Sequence, residues 1–324
     1  MTSERFRSIV NRGTLFTFAL STLLICGVAR AQSPIVFMTN TVTPNDDSRL
    51  TRFNNGVQSF AVGLGPNAAF QGVTIYSVNN NVLVADFVAE AIQSFSTTGA
   101  YLGAFASFTD PVFLESDAVG NVYTTRESIG PPGVTRFNFA GAITQTYLET
   151  GMTSSRGVDA DAAGNVYVAD MSGGNSRLYK FAANGTFLNS VAIGGTVDDV
   201  SIDEAGQQLY VAIENQSPNG VKVFDISGAT PSLVGTRPTP VDSVIIGLHY
   251  APASGNLLMT DFGALSNDPR GLEYSSAGVL LREYRPTNIS VPLDITTFVP
   301  EPTSLTLLAT SLFVAACIGR RARR

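Results

Sequence analysis

Six times along the chain a short run passes from an edge residue through apolar and small positions to an end that is polar in five of the six copies. The copies are Ile35-Val-Phe-Met-Thr-Asn40, Asn81-Val-Leu-Val-Ala-Asp86, Asn121-Val-Tyr-Thr-Thr-Arg126, Asn165-Val-Tyr-Val-Ala-Asp170, Gln208-Leu-Tyr-Val-Ala-Ile213 and Asn256-Leu-Leu-Met-Thr-Asp261. Their last residues fall 46, 40, 44, 43 and 48 apart. A second run follows each, with an aromatic at Phe53, Phe95, Phe137, Phe181, Phe224 or Tyr274. Three or four residues later come Gly56, Gly99, Gly141, Gly185, Gly228 or Gly278, then another apolar run such as Thr186-Phe-Leu-Asn-Ser-Val191. Short β-rich runs punctuated by Gly, Asn and Asp at hairpin spacing predict antiparallel strands.

About four strands in each 40 to 50 residues is the period of a propeller blade, so six units predict six blades around an axis. Units two to six are each preceded by a candidate inner strand, at 72–78, 111–117, 156–161, 198–203 and 244–250. Unit one has none. Its missing strand is supplied by Val291-Pro-Leu-Asp-Ile-Thr-Thr-Phe298, which on this reading pairs beside 35–40 and closes the ring without an open edge. The fold class is therefore all-β. From Asp161 to Val191, including Asn175-Ser-Arg-Leu-Tyr-Lys-Phe181, the chain resembles an NHL repeat, and the other five units resemble looser versions. That resemblance implies an NHL-like, six-bladed β-propeller over 32–298.

Both ends of the chain read as addresses. Arg5, Arg7 and Arg12 precede the uncharged run 13–29, and Ala29-Arg-Ala31 places small residues where a signal peptidase reads. Residues 1–31 are thus expected to be a signal peptide with a helical core, cut before Gln32. At the other end, Val299-Pro300-Glu301-Pro302 leads into the uncharged stretch 303–319, 17 residues, at the short limit for a bilayer-spanning helix. Arg320, Arg321, Arg323 and Arg324 end the chain and hold that end in the cytoplasm. Pro-Glu-Pro, apolar helix and Arg cluster, in that order, resemble the PEP-CTERM sorting signal over 299–324. The resemblance implies an exosortase-type sorting enzyme as partner and a precursor anchored in the inner membrane by its C-terminal helix. It places the mature protein in the cell envelope, at the cell surface or in the extracellular matrix of a Gram-negative bacterium.

Without these segments, residues 32–298 carry 12 basic against 24 acidic side chains, a net charge of −12. Such a surface repels phosphate backbones, which excludes nucleic acid as a partner. Cys26 and Cys317 both lie in the terminal segments, so the exported part has neither disulfide nor thiol metal site.

Candidate chemistry is sparse. The strand-end residues Asn40, Asp86, Arg126, Asp170 and Asp261 gather on one face of such a ring, a candidate ligand face whose alternative is a purely structural role. Asp117, Asp161 and Asp203, each three residues before a glycine, fit side-chain capping of hairpin turns better than a cation site. His249, the single histidine, falls within an inner-strand run and is expected in a wall or core position. No phosphate loop, zinc-spaced His pair or nucleophile elbow occurs. The resulting expectation is a non-enzymatic binding or scaffold module for extracellular polysaccharide or a surface protein. It needs no cofactor, with calcium the one cation its carboxylates suit. A calcium-dependent, lactonase-like hydrolase is the alternative.

Overall fold

Strand, turn and strand repeat through the chain because each β-branched or aromatic run ends at a polar turn. In the computed structural model these runs form six four-stranded antiparallel sheets. The structure describes residues 34–299 apart from 43–46, 127–130, 172–174, 215–219, 241–242 and 264–267. The residues expected to form the signal peptide, including Ala29 and Ala31, and the tail from Pro300 through Arg324 lie outside the described residues. Among the described residues no helix is long and apolar enough to cross a membrane.

The inner strands of blades two to six are Phe70–Tyr76, Pro111–Ser116, Ser155–Ala160, Thr196–Asp203 and Ile245–Ala251. Each pairs with the repeat strand that follows it in sequence. Blade one is assembled from both ends of the domain. Its inner strand is Ile289–Phe298, which pairs antiparallel with Ile35–Val42, Ile35 facing Phe298 and Met38 facing Ile295. The ring is thus six-bladed and closed by the last described strand, as the repeat predicted.

The fixed aromatic of each unit serves the packing between blades. Phe53, Phe95, Phe137, Phe181 and Phe224 are 0–2% exposed and Tyr274 is 8% exposed. Each lies in a different apolar cluster, and each cluster joins two neighbouring blades. Burying a side chain of this size contributes about 1.5–3 kcal/mol, so the six interfaces together carry the fold.

All six inner strands are interrupted by a bulge at one level: between Phe70 and Val73, Pro111 and Leu114, Ser155 and Val158, Val197 and Val200, Ile245 and Leu248, and in blade one opposite Thr39 and Asn40. In blades two, four and six the bulge contains a glycine. A Cβ on Gly72 would stand 2.6 Å from the Leu114 nitrogen, one on Gly157 2.4 Å from Asp199 Cα, and one on Gly247 2.8 Å from Asp294 Cα. The backbones of adjacent inner strands touch at the axis there, an approach only glycine permits.

Candidate functional site: an acidic cavity on the axis

The residue of each inner strand that faces the third position of the repeat strand lies at a common height on the axis. Pairing gives Thr296 opposite Phe37, Thr74 opposite Leu83, Glu115 opposite Tyr123, Asp159 opposite Tyr167, Ser201 opposite Tyr210 and His249 opposite Leu258. All six line one cavity of about 470 Å³, a volume within the range of small-ligand pockets. Its walls continue outward through Tyr250 at the end of its inner strand and through the turns that follow the inner strands, bringing in Asp117, Asp161, Glu204 and, at the rim, Val299. The lining includes five carboxylates and no Lys or Arg.

The backbone holds these carboxylates in place. Asp159 accepts the Ala160 N–H at 2.6 Å and, from the next blade, the Ile202 N–H at 2.7 Å. Below the cavity the pattern recurs. Asp199 accepts the Val200 and Leu248 N–H groups, and Asp294 those of Ile295 and Val73. Glu115 accepts the Ser116 N–H at 2.8 Å and the Thr74 hydroxyl at 3.1 Å, both through Oε1.

Enclosure by the ring sets their proton affinity. Burial pushes Glu115 up to about 7, opposed by its hydrogen bonds from Ser116 and Thr74. Burial also holds Asp159, Asp199 and Asp294 well above the usual carboxylate range. The nearby Glu115 adds to the rise for all three, and Asp294 adds to that of Asp199. Burial lowers His249 to about 4, so its imidazole is neutral at pH 7. Its Nε2 lies 3.2 Å from the Thr297 hydroxyl. His249 is therefore a wall residue of the cavity.

The turn aspartates behave as hairpin caps. Asp117 takes the Val119 and Asn121 N–H groups with the Asn121 amide and Tyr123 hydroxyl, and Asp161 takes the matching groups of Ala163, Asn165 and Tyr167. Asp203 accepts the Gly206 N–H.

The strand-end residues proposed as a ligand face lie at the other end of the repeat strand, away from the cavity. Asn40, Asp86, Asp170 and Asp261 are no more than 1% exposed. Asp86 receives the N–H groups of Ala69 and Ala89, Asp170 those of Thr153 and Ser154, and Asp261 those of Val244 and Gly263. Asn40 accepts the Thr51 hydroxyl, and Arg126 donates to the Thr109 carbonyl and lies over the Phe108 ring. These side chains fasten the segments entering each inner strand, and among the described residues they do not line the cavity. Of the sorting-motif residues, only Val299 is described.

The cavity residues Glu115, Asp159 and Thr296 were missed in the sequence because each blade contributes a different residue type at that level. Reading the inner-strand residue opposite the third repeat position in all six units would have found them. Both oxygens of Asp159, Asp199 and Asp294 each accept an N–H group, and among the described residues no group of three or more His, Cys, Asp or Glu is placed to hold a metal ion.

No protein-family model matches the chain, and no curated protein matches it. Solved structures do. The chain is similar to a component of a nidogen/laminin complex (TM-score 0.63, 14% identity, 82% of this chain and 97% of that one). It is similar to a gluconolactonase from Xanthomonas campestris (TM-score 0.56, 14% identity, 81% and 90%). It is also similar to a catalytically inactive virginiamycin B lyase from Staphylococcus aureus with quinupristin (TM-score 0.51, 15% identity, 69% and 72%). At these identities the likeness shows the fold alone. Because that fold houses a lyase and a lactonase, the expectation that this protein is not an enzyme is corrected: a propeller built this way gives no ground for excluding catalysis. What the comparisons establish for this chain is a six-bladed β-propeller.

Proposed function

We propose that the protein is exported, passes through a PEP-CTERM/exosortase pathway, and acts at the cell surface or in the extracellular matrix through its axial cavity, on a polysaccharide or a surface protein. The observation that carries the reading is the tail itself: Pro300-Glu301-Pro302, 17 uncharged residues and four terminal arginines, following the closing strand after one residue. The compact unit ends at Val299, so cleavage beyond it leaves every residue of that unit in the chain. Val299 also lines the cavity rim.

The test is expression in a host with an exosortase-type enzyme, followed by mass spectrometry of the exported protein. The expected product lacks Arg320 to Arg324, and replacing Pro300 and Pro302 leaves the precursor membrane-bound. Recovery of an intact Arg cluster from that host overturns the pathway.

A further inference from the structure

We propose that the axial cavity binds a small hydroxylated amine, its ammonium group seated between Glu115 and Asp159 and a hydroxyl group bonded to Thr296. Three observations on the described residues carry this, and none depends on the export reading. First, the lining offers five carboxylates and no cationic side chain, so an anion entering it meets only like charge. Second, Glu115 uses only Oε1 for its hydrogen bonds, and among the described residues Oε2 takes none. Third, Thr296 is 1% exposed, lines the cavity, and its Oγ1 has no hydrogen-bond partner. A buried hydroxyl left unpaired is unfavourable, and a ligand donating or accepting there removes that cost.

The electrostatics fit the same occupant. Glu115, raised to about 7, shares the axis with Asp159, Asp199 and Asp294, all held toward their protonated forms, with Asp117 on the rim and a neutral His249 opposite. An ammonium group beside Glu115 lets the carboxylate ionise against an opposite charge. Binding near neutral pH therefore releases protons to solvent. Thr74, Ser201 and Thr297 complete a wall of hydroxyls suited to a polyol.

The experiment is calorimetric titration of the full-length chain in non-ionic detergent with glucosamine, using glucose and glucuronate as neutral and anionic controls. We expect saturable binding of glucosamine at least about tenfold tighter than glucose, equivalent to 1.4 kcal/mol, and none of glucuronate. Repeating the titration at pH 7 in buffers of different ionisation enthalpy should show proton release, absent in Glu115→Gln, whose affinity falls about tenfold. Thr296→Val serves as the folding-safe variant. It removes an unpaired buried hydroxyl, so it should keep or raise the melting temperature while weakening glucosamine binding. Equal affinity for glucose and glucosamine, no saturable glucosamine binding, or an unchanged affinity in both variants overturns the proposal.

Discussion

Oδ2 of Asp294 accepts the Val73 N–H at 2.7 Å, joining the last described strand of the chain to the inner strand of the second blade. Its other oxygen takes the Ile295 N–H at 2.8 Å. One carboxyl therefore braces its own strand beside the bulge and holds the neighbouring blade against it. Asp159 with Ile202 and Asp199 with Leu248 repeat the arrangement at 2.7 Å each. Asp294 is 3% exposed and Val73 2% exposed, so neither has water as a substitute partner.

Replacing Asp294 by Ala strands the Val73 N–H and should cost about 1–3 kcal/mol. Asp294→Asn retains one acceptor and should cost less. Equilibrium urea unfolding of the two variants measures the difference, and equal losses would show that the bond across the blades contributes nothing.

Deleting 289–298 removes the partner of Ile35–Val42 and leaves that strand as an open edge. Exposed strand edges pair with other chains. Light scattering should show the truncated protein assembling with concentration, while the intact chain does not. A truncated monomer with native stability would mean that the seam is dispensable.

Gly247→Ala should be destabilising by about 1–3 kcal/mol through overpacking, because the new Cβ would lie 2.8 Å from both Asp294 Cα and the Leu293 carbonyl oxygen. Gly235 has open space around it, so Gly235→Ala should stay within about 0.5 kcal/mol of the parent. Thermal unfolding of the pair separates a clash at the axis from a general cost of removing glycine.

Glu115 gives the protein a pH dependence with a definite sign. Its folded value near 7 exceeds the ordinary 4.5, so the folded state binds its proton more tightly than the unfolded state. The contribution is present in full below 4.5 and is lost as pH rises towards 7. Glu115→Gln removes the dependence. The melting temperature of the variant relative to the parent should therefore increase from pH 5 to pH 8, and a constant difference would contradict the shift.

The repeat strands were legible because every blade needs the same apolar and aromatic residues to pack against its neighbours. Phe95, Phe137 and Phe181 occupy one structural role and look alike in the sequence. The seam was legible by subtraction, since one inner strand was missing at the start and one was spare at the end. The cavity was hidden for the opposite reason. Ring packing does not prescribe what points at the axis, so Thr74, Glu115, Asp159, Ser201, His249 and Thr296 share a position without sharing chemistry. Asp86 and Asp170 misled because their repetition reflects a repeated backbone need, the capping of each inner-strand entry.

Pairing of the first and last described strands also fixes an order of events. Asp294 donates its N–H to the Thr39 hydroxyl across a separation of 255 residues. A chain made or threaded across a membrane from its N-terminus presents Ile35–Val42 first and its partner nearly last. Blades two to six each consist of strands contiguous in sequence and can form as they arrive, whereas the first blade waits. Closing so long a loop adds an entropic cost to forming the first blade, so an open arc of blades two to six is the expected precursor of the ring.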